Sequence, residues 1–275
     1  MLIGDMMEMI GFVGAGNMAE AIIQGILAAG LFTPEQVHVS DLRVDQLNKL
    51  SRKYGVTTVP DNGELATRTD IVVLSVKPMT LMDALDSIKQ HLKPNVLIIS
   101  IVAGKRIADM SDILGDRPII RVMPNTPALI NEGASALYAN ALAQPFVEKI
   151  KTMFECVGKA VVVDRENLID AVTAVSGSGP AYYFLMMEKM IEAATGLGLS
   201  SDLAETLVLQ TAKGAALLAE QASAQNETPA DLTRKVATPG GTTEAALTSF
   251  NKGGLGELVN TALGQAYLRS QTLSG

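Results

Sequence analysis

Two stretches of the chain have residue types and spacing that suit chemistry. The first is Thr238-Pro239-Gly240-Gly241-Thr242-Thr243, six poor helix formers set among segments that otherwise read as helices. Glu244-Ala245-Ala246-Leu247 resumes helical character at once. A turn opening directly into a helix presents uncommitted backbone N–H groups and a positive dipole end, which together receive an anion such as a carboxylate. The same residues would also serve as a plain corner between helices. The second stretch is Gly14-Ala15-Gly16-Asn17-Met18-Ala19, a G-x-G-x-x-A directly after the apolar run Met9–Val13. Gly14 permits a tight turn, Gly16 has no side chain to keep a pyrophosphate off the backbone, and Ala19 allows close helix–strand packing. The helix N-terminus at Asn17 and Met18 supplies donors, so this strand–loop–helix unit reads as a dinucleotide-binding loop.

Three further segments fall where such a cofactor would lie, since ligands of open α/β sheets bind at the carboxyl ends of the strands. Ser40-Asp41-Leu42-Arg43 ends the second strand. Asp41 suits a ribose 2′-hydroxyl and Arg43 a 2′-phosphate, leaving NADH against NADPH open. Ser75-Val76-Lys77-Pro78 follows a buried-type strand, with Val76, Lys77 and Pro78 at its exit. Met123-Pro124-Asn125-Thr126-Pro127 follows a later one, its prolines fixing the backbone around Asn125 and Thr126.

Other chemistries lack their residues. His38 falls inside an expected strand and His91 at a helix end, so neither is a convincing acid or base. No Ser/His/Asp arrangement and no Cys/His cluster with metal-ligand spacing is visible, and Cys156 is the only cysteine. A dehydrogenase of alcohols needs a group to take the hydroxyl proton; an iminium carbon, whose nitrogen already carries its proton, needs none. The net charge of −7, without a basic patch, argues against nucleic acid as a partner. Apolar runs such as Val96–Ala103 are too short to cross a bilayer. The N-terminal MLIGDMMEM, with Asp5 and Glu8, does not read as a secretory signal. A cytoplasmic location is expected.

The elements that must position these residues follow from periodicity. Short β-branched runs at Met9–Val13, Val37–Ser40, Ile71–Val76, Val96–Ile101, Ile119–Met123 and Ala160–Val163 alternate with helical stretches such as Met18–Ala29, Asp45–Lys53 and Leu81–His91. That pattern predicts a Rossmann-type parallel sheet covered on both faces. Beyond Asn167 the strand signal stops, and Ala181–Ala194, Asp202–Glu220, Thr243–Phe250 and Leu255–Arg269 read as helices. Breaks fall at Gly177–Pro180, Gly196–Gly198, Glu227–Pro229 and Thr238–Gly241. The expected division is therefore an α/β domain over 1–165 and an all-α domain over 166–275. The helix beginning Ala181-Tyr182-Tyr183-Phe184-Leu185-Met186-Met187 is apolar all round, which a small domain has difficulty enclosing alone; a second subunit is the natural cover.

Five motifs, in order from about residue 9 to 270, resemble the Δ1-pyrroline-5-carboxylate reductase family. They are Gly11–Ala19, Val76-Lys77-Pro78, Met123–Ala128, Ser176-Gly177-Ser178-Gly179-Pro180-Ala181-Tyr182 and Thr238–Thr243. The last two are specific to that family; the first belongs to many dinucleotide binders. Residues 1–8 look like a short extension without a counterpart. The resemblance implies hydride transfer from NADPH or NADH to the C=N carbon of 1-pyrroline-5-carboxylate, giving L-proline. It implies that the small-molecule substrate meets Thr238, Gly240, Gly241, Thr242, Thr243 and Ser178, its carboxylate on the backbone N–H groups of Gly240, Gly241 and Thr242. The Thr243 hydroxyl would then orient and polarise the ring nitrogen, while Lys77, Asn125 and Thr126 line the nicotinamide end. The family pairs through its helical domain, and its dimers often assemble into rings of five. One departure stands out: common members carry Asn or Ser followed by Arg after strand two, where this chain has Asp41-Leu42 and its arginine one step later. A rival β-hydroxyacid dehydrogenase would carry a lysine a few residues after the turn at Gly177–Pro180, and none occurs before Lys189.

Overall fold

Continuous β-branched runs need a sheet buried on both faces, and the computed structural model of the chain, which describes residues 8–273, has one. Residues 1–7, most of the extension noted above, lie outside the described residues. The strands are β1 (Ile10–Val13), β2 (Val37–Ser40), β3 (Thr57–Thr58), β4 (Ile71–Leu74), β5 (Leu97–Ser100), β6 (Ile119–Met123), β7 (Gly133–Ala139) and β8 (Gly158–Val162). Their spatial order is β3-β2-β1-β4-β5-β6-β7-β8, parallel throughout except for the antiparallel β6–β7 pair. Ile10 stands level with Val37 on one side and Ile71 on the other. The chain winds outward from β1 to β3 and then crosses to β4, so the crevice at the ends of β1 and β4 is the topological switch point.

Helices α1 (Asn17–Ala28), α2 (Val44–Tyr54), α3 (Asn62–Arg68), α4 (Leu81–Ile88), α5 (Ile107–Leu114) and α6 (Val147–Glu155) cover the two faces. One apolar layer joins Phe12, Val39 and Val73 to Ile22 and Ile26 of α1, Leu47 and Leu50 of α2 and Phe154 of α6. The other joins Val13, Val72 and Leu74 to Leu65 of α3, Leu85 of α4 and Met110 of α5. Within the first layer's rim, Glu20 of α1 receives Lys49 and Lys53 of α2 at 2.7 and 2.9 Å. Burial opposes its ionisation, yet the two lysines bring its pKa down to about 2. This pins the helix that begins at the glycine-rich loop.

By packing, the chain forms two compact units: one holds the described residues up to Ser178 together with residues 266–273, the other Gly179–Gln265. Helix α7 (Leu168–Val172) and the π turn Thr173–Gly177 lie against β6 and β7, and buried Asp170 accepts a hydrogen bond from buried Ser270 at 2.7 Å.

The second unit, Gly179–Gln265, holds α8 (Gly179–Gly196), α9 (Ser201–Ser223), α10 (Pro229–Val236), α11 (Thr242–Lys252) and most of α12 (Leu255–Leu273). Pro180 opens α8 rather than breaking the chain, as a proline in a first helical turn does without losing a hydrogen bond. Ser200 caps α9, and Thr228 with Asp231 forms a capping box on α10, a helix absent from the expected set. Among the described residues no helix is long and apolar enough to cross a membrane.

Candidate active site

At the switch point Gly14 adopts φ +99°, and a Cβ there would stand 2.7 Å from the Ser75 carbonyl oxygen. Both constraints demand glycine. Gly16 is different: a Cβ there would meet nothing within 4 Å. Gly16 is also the N-cap of α1 and provides no side-chain cap, so the first N–H groups of α1, including Asn17 and Met18, open toward that space without intrahelical acceptors. An open approach over glycine, lined by helix N-terminal donors, fits the pyrophosphate of a dinucleotide.

The peptide of Ala15 between the two glycines is held from both sides. Its N–H donates to Asp41 Oδ2 at 2.8 Å, and its carbonyl accepts from Gln46 Nε2 at 2.8 Å. Asp41 also takes Arg43 Nε on Oδ1 at 2.9 Å and Arg43 Nη2 on Oδ2 at 3.0 Å, with the Arg43 N–H on Oδ1 at 2.9 Å. Burial would raise the Asp41 pKa, but these bonds outweigh it and hold the carboxyl below its usual range. A carboxylate offers about four lone-pair positions, so Asp41 is saturated by its own chain. A ribose hydroxyl reaches it only after Arg43 swings away.

At the end of β4, Ser75 Oγ donates to the carbonyls of Val13 and Gly14 at 3.0 and 2.7 Å, tying the exits of β1 and β4 together. Val76 packs half-buried, within 3.1 Å of where a Gly14 Cβ would be. Lys77 is exposed, and Pro78 starts a short 3-10 turn after it. At the end of β6 the two residues expected side by side part company. Thr126 is exposed, whereas Asn125 is 9% exposed with its amide turned inward. Asn125 Oδ1 accepts the Ala134 N–H at 2.8 Å and Nδ2 donates to the Ser176 carbonyl at 3.1 Å. Ser178, half-buried, closes the π turn by donating its N–H to the Thr173 carbonyl at 2.8 Å.

In the second unit, the TPGGTT stretch is a tight turn running into α11. Pro239-Gly240 has the sequence of a type II turn, Gly240 takes φ +72°, and the Gly241 N–H donates to the Thr238 carbonyl at 3.0 Å. A Cβ on Gly241 would lie 2.6 Å from Thr238 Oγ1. Gly241 is the N-cap of α11 without a side-chain partner. The expected trio of donors is therefore altered. The Gly240 N–H is held by Glu244 Oε2 at 2.7 Å, and that of Gly241 by Thr238. The N–H groups of Thr242, Thr243 and Glu244 remain open in the first turn. The Thr243 hydroxyl makes no hydrogen bond to any described residue.

Sequence reading missed one buried charge. Arg121 on β6 is 3% exposed and pairs with Glu166 Oε1 at 2.8 Å; the same oxygen accepts the Ile107 N–H at the start of α5. The isolated arginine in an apolar strand was the available signal. The histidines stay outside the site: His38 is buried in β2, and both its ring nitrogens lack a partner.

Comparison with known proteins bears on the whole chain. The pyrroline-5-carboxylate reductase dimerisation family matches residues 166–273, and the NADP oxidoreductase, coenzyme F420-dependent, family matches residues 9–104. The chain is 45% identical over 267 residues to a pyrroline-5-carboxylate reductase of Pseudomonas aeruginosa, covering 96% of each. A pyrroline-5-carboxylate reductase structure from Coxiella burnetii superposes with a TM-score of 0.90 at 37% identity, covering 98% of this chain and all of that one. The Plasmodium falciparum pyrroline carboxylate reductase solved with NADP bound gives 0.86 at 30% identity, covering 98% of each.

Proposed function

We propose how the site works in a chain that belongs to the pyrroline-5-carboxylate reductase family. The reaction is the NAD(P)H-dependent reduction of 1-pyrroline-5-carboxylate to L-proline, the last step of proline biosynthesis. Bound NAD(P)H supplies the hydride, and the nitrogen of the iminium already carries its proton.

The residues then divide their work. Gly14, Gly16, Asn17 and Met18 form the pyrophosphate cradle, and Val76, Lys77, Pro78 and Thr126 line the nicotinamide end. Asp41 and Arg43 face the 2′ position of the ribose. Thr238, Gly240, Gly241, Thr242 and Thr243 hold the substrate with Ser178, the carboxylate lying on the α11 N-terminus. Glu244 occupies one of those donors in the free chain, so the incoming carboxylate takes Thr242 first and the Gly240 N–H by displacing Glu244. The Thr243 hydroxyl orients the ring nitrogen. Holding both ends of a small ring in a near-attack geometry is the principal source of acceleration, and no acid–base side chain is required.

The helical unit pairs with that of a second copy, and five such pairs form a ring. The pairing draws on the dimerisation-family match and on the apolar α8 face; the ring draws on family resemblance alone. The reaction takes place in the cytoplasm, a reading that fits the single cysteine and the family's biosynthetic role.

The observation that carries the substrate assignment is the uncapped start of α11 behind a Gly240-Gly241 turn. Comparing 1-pyrroline-5-carboxylate with 1-pyrroline, which lacks the carboxylate, tests it. Loss of charge-assisted bonds at about 1.5–3 kcal/mol each lowers kcat/KM by about two to three orders of magnitude. Equal kcat/KM for both imines would remove the anchor.

A further inference from the structure

Three segments of the first unit meet at Asn125: the end of β6, the start of β7 and the π turn Thr173–Gly177. The Asn125 amide uses both its ends, accepting the Ala134 N–H and donating to the Ser176 carbonyl. The Asn125 carbonyl accepts the Ala128 N–H, starting the 3-10 turn that begins at Thr126. On the other side of the bond to Ser176, Gly177 lies so close to β6 that a Cβ would stand 2.4 Å from Met123 Cε. Ser178 follows, its N–H fixed on Thr173. A π turn costs hydrogen-bond quality and is commonly retained where it places functional groups.

We infer that Asn125 is a positioning residue for the reduction: it locks the turn carrying Ser178 to the loop carrying Thr126, and does not itself bind the cofactor. This rests on the assignment of Ser178 to the substrate and Thr126 to the cofactor. The chemistry selects asparagine because one planar group must accept at one oxygen and donate about 2 Å away. Aspartate has the same shape but cannot donate when ionised, and its second oxygen would then face the Ser176 carbonyl. Protonated, it regains the donor.

The test is Asn125→Asp in the full-length protein, with kcat measured as a ratio to the parent from pH 5 to 8, alongside the NADPH dissociation constant and Tm. At pH 8 the ratio is expected to fall about ten- to a hundredfold, as displacement of a positioning shell does, while the cofactor dissociation constant stays within about twofold. Toward pH 5 the ratio recovers as the carboxyl protonates. A ratio near one throughout, a loss that does not change with pH, or a tenfold weaker cofactor complex would each overturn the inference. Should Asn125→Asp fail to fold, Asn125→Ser removes both contacts without adding charge. It is expected to lower kcat with cofactor binding unchanged, and an unaltered kcat overturns the proposal. Ser178→Ala separates the premise: at parental rates it removes the Ser178 assignment, whereas impaired Ser178→Ala beside unaffected Asn125 variants overturns the lock alone.

Discussion

In the sheet unit Phe12, Ile22, Ile26 and Leu85 are wholly buried, whereas in the helical unit Tyr183 and Phe184 are 70% and 61% exposed. Leu185, Leu207, Leu217 and Leu218 are exposed as well, and the buried apolar side chains of that unit are Ala204, Val208 and Ala222. The first unit closes its core within one chain because helices cover both faces of its central strands, β1, β2, β4, β5 and β6. The second presents apolar helix faces far beyond what a monomer ordinarily leaves in water. The contrast separates two kinds of support: the glycine-rich loop stands on a core closed within one chain, while the TPGGTT turn stands on helices whose apolar faces lie open in a single chain.

The largest expected effect probes that contrast directly. Leu185→Glu places a charge on the exposed α8 face, and in the proposed pairing of two helical units both copies carry it. Association weakens by about 4 kcal/mol, roughly a thousandfold, read by sedimentation. The isolated dinucleotide-binding function should survive, so NADPH titration of the dissociated protein is expected to retain its affinity. Glu166→Ala tests the opposite unit. It strands the buried Arg121 charge and lowers unfolding stability by about 3 kcal/mol in denaturant, with no change in association. Arg43→Ala is expected to move the ratio of kcat/KM for NADPH over NADH about tenfold toward NADH, since Asp41 becomes free to accept a ribose hydroxyl and a phosphate partner is lost. The smallest effect belongs to His38. Burial chiefly, with Arg68 nearby, lowers its pKa from the ordinary value near 6.5. The unfolded chain therefore takes up the proton first. This contribution to stability is complete above about pH 6.5 and declines as pH falls below it, with a slope of at most one proton. His38→Leu should flatten that slope in denaturant titrations at pH 7 and 5.5.

The parts legible from sequence are those with local causes. β1, β2, β4, β5, β6 and β8 announce themselves through β-branched runs, and Gly14 through a turn that only glycine tolerates. β7 was missed because Gly133-Ala134-Ser135-Ala136 are weak strand formers held in place by neighbours on either side. β3 is two residues long. The Asn125–Ser176 and Arg121–Glu166 contacts join residues 51 and 45 positions apart, a distance at which no periodicity speaks. Asn125 could be placed at a sheet edge from its motif, but not turned inward. The Glu244 carboxylate on Gly240 does have a local cause, a glutamate at the third position of α11, the spacing that capping arrangements use.

In the proposed reaction the TPGGTT turn holds the imine and the Thr243 hydroxyl meets the ring nitrogen. Oxidation of NADPH and NADH dependent on 1-pyrroline-5-carboxylate, followed for the protein and for Thr243→Val, tests it most directly. Turnover by the parent is expected, with a kcat/KM lower by about ten- to a hundredfold in the variant and cofactor affinity unchanged. Equal rates for the two proteins, or no turnover by protein that binds both cofactors, would contradict it.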